Sequence, residues 1–301
     1  MSAVKESLPR TDLRRTAPIC IVCGSAQSDI LFSVYSYPVH ECQTCKLQYL
    51  WPQPTDEDLT RIYSENYFFG QDVGELEQSR LKRATANLYL DQIEKRVGNP
   101  VGKKLLEIGC GNGDFLHEAS KRGFEVSGLE YSRSAAEEAN AKLSAHTVIV
   151  GSADTVDLPL GYYDVVVGCD VIEHVRDPRK FSERIYNSLK PKGLFYCVTP
   201  SRSSLSAKLM GQRWVEYKEE HLFYFDPKNI SRLLQQAGFR AAETQSNYKI
   251  LSPSYIVAHF KRFPKPGWTP LVVAASKFLP GFVLNSTIRI VASGVTVMAR
   301  K

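Results

Sequence analysis

Acidic side chains are missing between Thr244 and Lys301, although the whole chain carries 32 acidic and 38 basic residues. In residues 1–200 acidic and basic side chains nearly balance, so the net charge of +6 comes from the last third of the chain. The basic character is therefore local. It predicts a segment that meets an anionic partner, or a face whose lysines are merely solvated.

Long apolar runs are also missing. No apolar run reaches the roughly 18 residues of a membrane-spanning helix, and the opening MSAVKESLPRTDLRR lacks the apolar core of a signal peptide. We therefore expect a cytoplasmic protein. With 43% hydrophobic and 23% charged residues, 301 residues can bury one large core and support a small additional module.

The seven cysteines do not suit a disulfide framework, because their number is odd and four of them form two CxxC pairs. Cys20/Cys23 and Cys42/Cys45 are separated by 18 residues, a spacing typical of a four-thiolate zinc site. Redox CxxC chemistry is the alternative. We expect a zinc-binding ribbon at 16–60 that is too small to bury a core alone and depends on a structural zinc without an open coordination position. The main domain with the glycine-rich loop is expected to have a separate core.

From Lys103 onward, predicted strands and helices alternate, which favours an α/β fold with a parallel sheet and right-handed crossovers. Asp-Pro pairs at Asp177 and Asp226 predict two helix starts. The expected organisation after the ribbon is linker helices at 61–102 and a main domain at 103–301, with lid segments at about 202–222 and 249–290. Three linker aromatics either cover a ligand or pack as a hydrophobic staple: Tyr63, Tyr67 and Phe68.

The stretch LLEIGCGNGDFL, Leu105–Leu116, places a glycine-rich turn directly after an apolar run. Its glycines differ from the dinucleotide fingerprint, whose third glycine would stand where this chain has Asp114. Glu107 and Asp114 would flank a pyrophosphate with like charges, at a cost on the order of several kcal/mol in a poorly solvated cleft. The loop therefore favours a cationic adenosine ligand without phosphate, S-adenosylmethionine.

A second acidic residue, Glu130, closes the strand VSGLE at the position where a carboxylate can accept both ribose hydroxyls. A surface glutamate that merely ends the strand is the alternative. Ala153 and Asp154 follow the third strand and are assigned to the adenine edge, although Ser152 could supply the polar group instead. The full predicted cofactor-binding set is Glu107, Gly109, Cys110, Gly111, Gly113, Glu130, Tyr131, Ala153, Asp154 and Asp170.

These motifs, with GSADTVDLPLGYYDVVVGCDVIEHVRDP and HLFYFDPKNISRLLQQAGF, resemble a class I S-adenosylmethionine-dependent methyltransferase of the type 11/12 domains. The resemblance implies a Rossmann-like sheet of seven strands in the order 3214576, the last antiparallel. CIVCGS and CQTCKLQYLWPQPTDEDLTRIYSENYF resemble the zinc-binding front end of bacterial methyltransferases from sugar, polysaccharide and natural-product pathways. Sugar C-methyltransferases carry a further C-terminal domain for which this chain has no room, so we expect O-methylation of a sugar, glycan or natural-product small molecule.

The motif CDVIEHV places Asp170, Glu173 and His174 on one predicted helical face at the carboxyl edge of the sheet. His174 is the first candidate general base for a hydroxyl acceptor, and His221 is the second. A structural role for His174 is the alternative. In another interpretation all four side chains hold a divalent cation, as in some quinone and RNA methyltransferases of the wider family.

Two other functions compete with this one. An RNA methyltransferase with a zinc module would need a basic ribbon, whereas 16–60 contains Lys46 against five acidic residues, so we do not expect a nucleic-acid partner. A non-enzymatic scaffold would not need an intact cofactor motif.

For the acid-free segment, aromatic residues between its lysines predict contact with a membrane surface or with an anionic acceptor, such as a nucleotide-linked or lipid-linked sugar.

Overall fold

The computed structural model describes residues 19–66 and 75–301. Its strands, in chain order, are β1 (Ser28–Val34), β2 (Tyr37–Cys42), β3 (Gln48–Leu50), β4 (Lys104–Ile108), β5 (Glu125–Glu130), β6 (Val148–Val150), β7 (Tyr163–Cys169), β8 (Leu189–Pro200), β9 (Phe223–Tyr224), β10 (Ala241–Leu251) and β11 (Ile288–Arg300). Its α-helices are α1 (Asp56–Asn66), α2 (Glu75–Val97), α3 (Asp114–Lys121), α4 (Arg133–Leu143), α5 (Pro178–Ser188), α6 (Leu205–Met210), α7 (Pro227–Gln236), α8 (Pro253–Arg262), α9 (Trp268–Ser276) and α10 (Gly281–Leu284).

The larger sheet has seven strands in the order β10-β11-β8-β7-β4-β5-β6. Neighbouring strands from β4 to β8 pair in parallel, whereas β11 is antiparallel to both β8 and β10. Numbered along the chain within this sheet, the order is 3214576, so the expected Rossmann-like α/β fold is confirmed. The central strands consist of apolar residues because helices cover both faces, and Val165, Val166 and Val167 are fully buried.

Two Asp-Pro pairs start helices as predicted. The Asp177 side chain accepts hydrogen bonds from the backbone of Arg179 and Lys180 at the start of α5. Asp226 forms a capping box with Asn229 at the start of α7. Because proline needs no hydrogen-bond acceptor at the first helical position, each pair fixes where its helix begins.

Helix α2, which the sequence assigns to the linker, packs into the core of the larger sheet. Its Leu90 and Ile93 are fully buried in one apolar cluster with Leu116 of α3 and Val165 of β7. At the same time α2 reaches the edge strand β10, where the Tyr89 hydroxyl donates to the side chain of Asn247 at 2.9 Å. The side chains of Tyr63, Tyr67 and Phe68 lie outside the described residues.

The second sheet joins the cysteine-containing ribbon to the rest of the chain. Its strand order is β1-β2-β3-β9. The last strand, β9, follows β8 of the larger sheet along the chain, so the main domain supplies one strand of the ribbon sheet. One buried cluster contains ribbon residues such as Leu47 together with Ile230 of α7 and Phe181 of α5. The expectation that the main domain has a core separate from the ribbon is therefore wrong, because this small sheet buries its apolar side chains against the main domain.

Hydrogen bonds also join the ribbon to the main domain. The Asn229 side chain donates to the carbonyl of Cys45, and the Gln236 side chain donates to the carbonyl of Val22, each at 2.9 Å. Both donors lie on α7, so this helix holds the two cysteine turns from one side. The ribbon and the main domain consequently form one packed unit.

A third apolar cluster lies between the ribbon sheet and the two predicted lid segments. Trp214 is fully buried there, with Val39 and Leu50 from the ribbon. Phe260 of α8 and Trp268 of α9 pack at its margin. Both predicted lid segments are thus supported by the ribbon.

We expect Cys42→Ala to lower the free energy of unfolding by about 2 kcal/mol or more, since the side chain is fully buried in the shared core. Because the core is shared, tryptophan fluorescence and circular dichroism should report one coincident thermal transition. Thr44→Ala, on the exposed surface of the same turn, should stay within about 0.5 kcal/mol. Separate melting of the ribbon and the main domain would contradict the shared core.

Candidate active site

A cavity of about 340 Å³ opens at the carboxyl ends of β4 and β7. The glycine-rich loop after β4 forms one wall, and α2 together with the end of β10 forms the opposite wall. Ligands of open α/β sheets bind at this edge, because crossovers to opposite faces of the sheet leave a crevice between neighbouring strands. Five of the predicted cofactor residues line the cavity: Glu107, Gly109, Cys110, Gly111 and Asp170.

The loop glycines have different roles. Gly111 has a φ of 53°, and a Cβ built there meets no atom within 4 Å, so the backbone presents an open surface to the cavity. Gly113 has a φ of 76°, and a Cβ there would lie 2.9 Å from Cβ of Ala139 in α4. Gly111 therefore allows a ligand to approach the backbone, whereas Gly113 allows α4 to pack on the loop.

The carboxyl group of Glu107 lies at the cavity, where Lys82 compensates for only part of its charge. Its Oε2 atom is buried and has no hydrogen-bond partner among the described residues. Burial, reinforced by the charges of Glu130 and Asp114, raises the pKa of Glu107 well above its usual value. Because a cation would remove this penalty, the site suits the ammonium and sulfonium groups of S-adenosylmethionine.

Glu130 connects the second strand with the glycine loop. One carboxylate oxygen accepts a hydrogen bond from the backbone N–H of Gly111 at 2.8 Å, and the other accepts from Ser132 N–H at 2.9 Å. The side chain is buried, with 7% exposure, and does not point freely into solvent. Its position beside Gly111 is consistent with the predicted contact to the ribose.

The other four predicted cofactor residues are not part of the cavity wall. Gly113 packs against α4, and Tyr131 is 65% exposed. The carbonyl of Ala153 accepts from the Arg184 guanidinium, and the Asp154 carboxylate accepts from Arg176 N–H at 3.0 Å. The adenine contacts assigned to Ala153 and Asp154 stay predictions.

Residues that the sequence analysis did not assign complete the cavity. Lys82 and Tyr89 come from α2, while Lys249 and Tyr255 come from the end of β10 and the start of α8. Burial lowers the pKa of Lys82, which faces the carboxylates of the glycine loop. These residues lie far from the motif in sequence and follow no spacing rule, so no sequence motif placed them at this cavity.

An ion pair closes one side of the cavity. Lys249 Nζ lies 2.9 Å from the Asp170 carboxylate, and Asp170 has the left-handed φ of 55°. Burial alone would lower the pKa of Lys249, but the charge of Asp170 raises it well above the usual value. Asp170 is thereby held by a cation and not by the neighbouring histidines.

The two predicted catalytic histidines lie together but outside the cavity wall. The ring centroids of His174 and His221 are 4.7 Å apart, and ligand atoms of both rings and of Glu173 lie within 4.8 Å of one another. Asp170 is not in that group, so three of the four side chains considered for a divalent cation come together. The Glu173 carboxylate accepts from the Thr199 hydroxyl at 2.9 Å, while its other oxygen is buried without a partner.

Both imidazoles are neutral at physiological pH. Burial lowers the pKa of His174 to about 4 and holds the pKa of His221 well below its usual value. With the proton on Nδ1, His221 donates to the carbonyl of Glu216 at 2.9 Å and so fixes the end of the first lid segment. A neutral imidazole can accept a proton, but one of such low basicity needs close contact with the donor.

The four ribbon cysteines converge as their spacing predicts. Their sulfur atoms all lie within 4.8 Å of one another, with Sγ–Sγ distances of 3.5 Å for Cys20–Cys45 and 3.4 Å for Cys23–Cys42. A tetrahedral zinc with Zn–S bonds of about 2.3 Å requires sulfur separations of about 3.8 Å. The donor set and its dimensions therefore fit zinc.

The sequence model of the methyltransferase-domain family matches residues 79–244, which is more than half of the chain. The chain is a class I S-adenosylmethionine-dependent methyltransferase. The matched range includes α2 from residue 79 onward and the glycine-rich loop that lines the cavity. The type 11/12 assignment stays a prediction.

Similar proteins support the family without fixing the acceptor. A probable S-adenosylmethionine-dependent methyltransferase of Mycolicibacterium smegmatis is 30% identical over 146 residues, which cover 48% of this chain and 54% of that protein. The chain thus matches about half the length of that relative. A ubiquinone biosynthesis O-methyltransferase of Acinetobacter baumannii is 26% identical over 187 residues, covering 57% of this chain and 78% of that enzyme.

Solved structures share the fold at low sequence identity. A Haloferax volcanii methyltransferase in complex with the Trm112 methyltransferase activator has a TM-score of 0.54 at 18% identity, covering 79% of this chain and 96% of that chain. A Thermotoga maritima S-adenosylmethionine-dependent methyltransferase has a TM-score of 0.51 at 17% identity, covering 80% and 97%. These similarities establish the fold of the main domain and its sheet order.

Glu107→Gln should weaken S-adenosylmethionine binding by about tenfold to a hundredfold, because a charged hydrogen-bond partner is lost. The same change should stabilise the free protein. The folded-state pKa of Glu107 is raised, so the wild type loses stability as pH rises from about 4.5 through that pKa, and the glutamine variant does not.

Calorimetry and thermal melting between acidic and neutral pH measure both effects, with the exposed Glu125→Gln as control. The difference in melting temperature between Glu107→Gln and the wild type should be small near pH 4 and grow with pH. A glutamine variant that is less stable at neutral pH, or binds the cofactor as tightly, would contradict this account.

Glu130→Ala should weaken binding of the cofactor by about 1 to 3 kcal/mol, because it removes the acceptor for Gly111 N–H and the predicted acceptor for the ribose hydroxyls. Glu137→Ala, on the exposed face of α4, is the matched control and should leave the dissociation constant unchanged. Isothermal titration decides the point. An unaltered constant for Glu130→Ala would remove this residue from the site.

Proposed function

We propose that this methyltransferase transfers the methyl group of S-adenosylmethionine to a hydroxyl oxygen of a small polar acceptor, such as a sugar, glycan or natural product. The observation that carries the proposal is the polar side of the cavity, where the Asp170–Lys249 pair and Tyr255 face the space beside the glycine loop. Bound S-adenosylmethionine supplies an electrophilic methyl group on sulfur. Glu107 and the glycine loop hold that cofactor, and the acceptor enters from the side of Lys249.

The lid segments favour a polar acceptor. Lys218 interacts electrostatically with His221 and with Lys249, and although burial alone would lower the pKa of Lys218, Glu216 and Glu220 raise it. An acceptor there meets both ammonium groups and carboxylates. Hydroxyl groups can donate to the carboxylates and accept from the lysines, so a polyhydroxylated molecule suits the site.

His174 is the proposed general base, and His221 orients the lid beside it. Since the pKa of His174 is lowered to about 4, its imidazole is already unprotonated across the neutral range. Methyl transfer itself requires mainly alignment of the two reactants and exclusion of water. The base is needed only to take the proton that the acceptor oxygen loses.

Incubation with S-adenosylmethionine and a panel of sugars, sugar nucleotides and phenols tests the reaction. S-adenosylhomocysteine should form with a hydroxylated acceptor, and mass spectrometry of the product should show a methyl ether. Turnover with RNA or with amines alone would contradict the proposal. The ubiquinone biosynthesis relative provides the phenol arm of the panel, since its name states O-methylation.

With an active acceptor, His174→Ala should lower kcat by about a hundredfold while leaving cofactor affinity unchanged. The wild-type kcat should be constant above about pH 5, because the base is already neutral there. The exposed His146→Ala is the control. An unchanged kcat for His174→Ala would contradict the role of His174 as the base and would leave it a structural role beside the lid.

We also infer that the ribbon binds one structural zinc through Cys20, Cys23, Cys42 and Cys45. Elemental analysis of the purified protein should find zinc, and Cys23→Ser should reduce its content while Cys197→Ser should not, because Cys197 lies in β8 and is not one of the four converging thiols. The converging thiols and the absence of other donor types among them support zinc over redox chemistry. A disulfide in the native protein would contradict this inference.

A further inference from the structure

The helices α8, α9 and α10, with their connecting turns, form a helical arm over residues 253–284. Phe278, Phe282 and Leu271 expose 86%, 80% and 61% of their surfaces. No residue within these three helices is buried, although α9 carries no charged side chain on any face. A helix that is apolar on all sides normally lies inside protein or lipid, so we expect a binding partner to cover the apolar surface of the arm.

The charged side chains within the arm itself all have one sign, although Glu216 of the first lid segment interacts with His259 and Lys265. Lys261 and Arg262 end α8, Lys277 follows α9, and Arg289 begins β11. No carboxylate follows Glu243 in the sequence. The complementary partner is therefore apolar at its centre and anionic at its rim. A second copy of this chain does not meet that requirement, because two such arms would bring like charges together.

A groove of about 700 Å³ lies in the arm and combines the same two properties. Val257, Ala258 and Leu284 give it an apolar side, while Lys261, Arg262 and Ser276 supply cationic and hydroxyl groups. This combination suits a phosphate group joined to hydrocarbon. Lipid headgroups with their first chain carbons have that chemistry.

The arm is suited to lie on a bilayer and not to cross it. Among the described residues no helix is long and apolar enough to span a membrane. Aromatic and aliphatic side chains between lysines insert to the depth of the headgroups, and the lysines remain in contact with anionic lipid. Phe278, in the turn after α9, and Phe282, in the short α10, are two exposed rings that are four residues apart along the chain.

The arm also adjoins the acceptor side of the active site. Helix α8 begins two residues after Leu251, and Lys249, Ile250, Leu251 and Tyr255 all line the cofactor cavity. Contact of the arm with a surface would therefore bring the cavity entrance close to that surface. An acceptor that resides in a bilayer could then enter without crossing bulk water.

We propose that residues 253–284 dock this methyltransferase onto anionic bilayers, with Phe278 and Phe282 inserted and the basic residues on the lipid phosphates. The proposal is separate from the identity of the acceptor, since docking is measured without methyl transfer. It concerns a surface that the proposed chemistry does not use.

Sedimentation of the full chain with vesicles tests it. The wild type should sediment with phosphatidylcholine vesicles that contain phosphatidylglycerol, much less with phosphatidylcholine alone, and less as salt rises. Phe278→Ser with Phe282→Ser, and separately Lys277→Glu, should each lower the partition coefficient by about tenfold or more. Cofactor affinity and melting temperature, measured in parallel, should stay at wild-type values.

Matched controls come from exposed sites elsewhere. Leu160→Ser removes an apolar side chain that is 80% exposed, and Lys180→Glu reverses a lysine whose side chain is 78% exposed. Both should sediment like the wild type. Equal sedimentation of the arm variants, or no binding to anionic vesicles, would overturn the proposal. So would a dimer in ultracentrifugation that the phenylalanine variants dissociate, because a second copy would then cover the arm.

Discussion

The active site depends on one unfavourable interaction, the burial of the Glu107 carboxyl at the end of β4. Sheet packing brings this group into a poorly solvated space beside Glu130 and Asp114, and one oxygen has no partner there. Such burial lowers stability unless a cation arrives. This need for a cation explains why the loop lacks the dinucleotide fingerprint. The phosphates of a dinucleotide would add to the repulsion among these carboxylates, whereas the positive charge of S-adenosylmethionine relieves it.

The ribbon supports the acceptor side of the enzyme. One face of its sheet packs on α5 and α7, and the other contributes to the cluster around Trp214, which also receives Phe260 from α8. Both lid segments therefore rest on strands whose ends are fixed by the cysteine turns.

Much of the main domain could be predicted from the sequence because its signals are local. The buried parallel strands appear as continuous apolar runs, as in β7, and the Asp-Pro caps mark α5 and α7. By contrast, β10 is an edge strand with only one buried residue, so its sequence AAETQSNYKIL carries no apolar pattern. The cysteine spacing predicted the thiol cluster but could not predict what the ribbon packs against.

The candidate site was predicted only in part, for a similar reason. Glu107, Gly111 and Glu130 belong to one short motif and the strand after it, and they lie together as expected. Lys82 and Lys249 reach the same cavity from elements far apart in sequence, through packing that no spacing rule encodes. The histidines came together as a pair, yet their burial beside the lid carbonyls distinguishes them from residues that face the cofactor.

Proton release on cofactor binding tests the central claim most directly. Calorimetric titration of S-adenosylmethionine at slightly acidic pH, in buffers with different ionisation enthalpies, counts the protons exchanged. The raised pKa of Glu107 predicts that the wild type releases more protons than Glu107→Gln, because the bound cation ionises the buried carboxyl. Identical proton exchange in the two proteins would contradict the claim that this carboxyl holds the cofactor's positive charge.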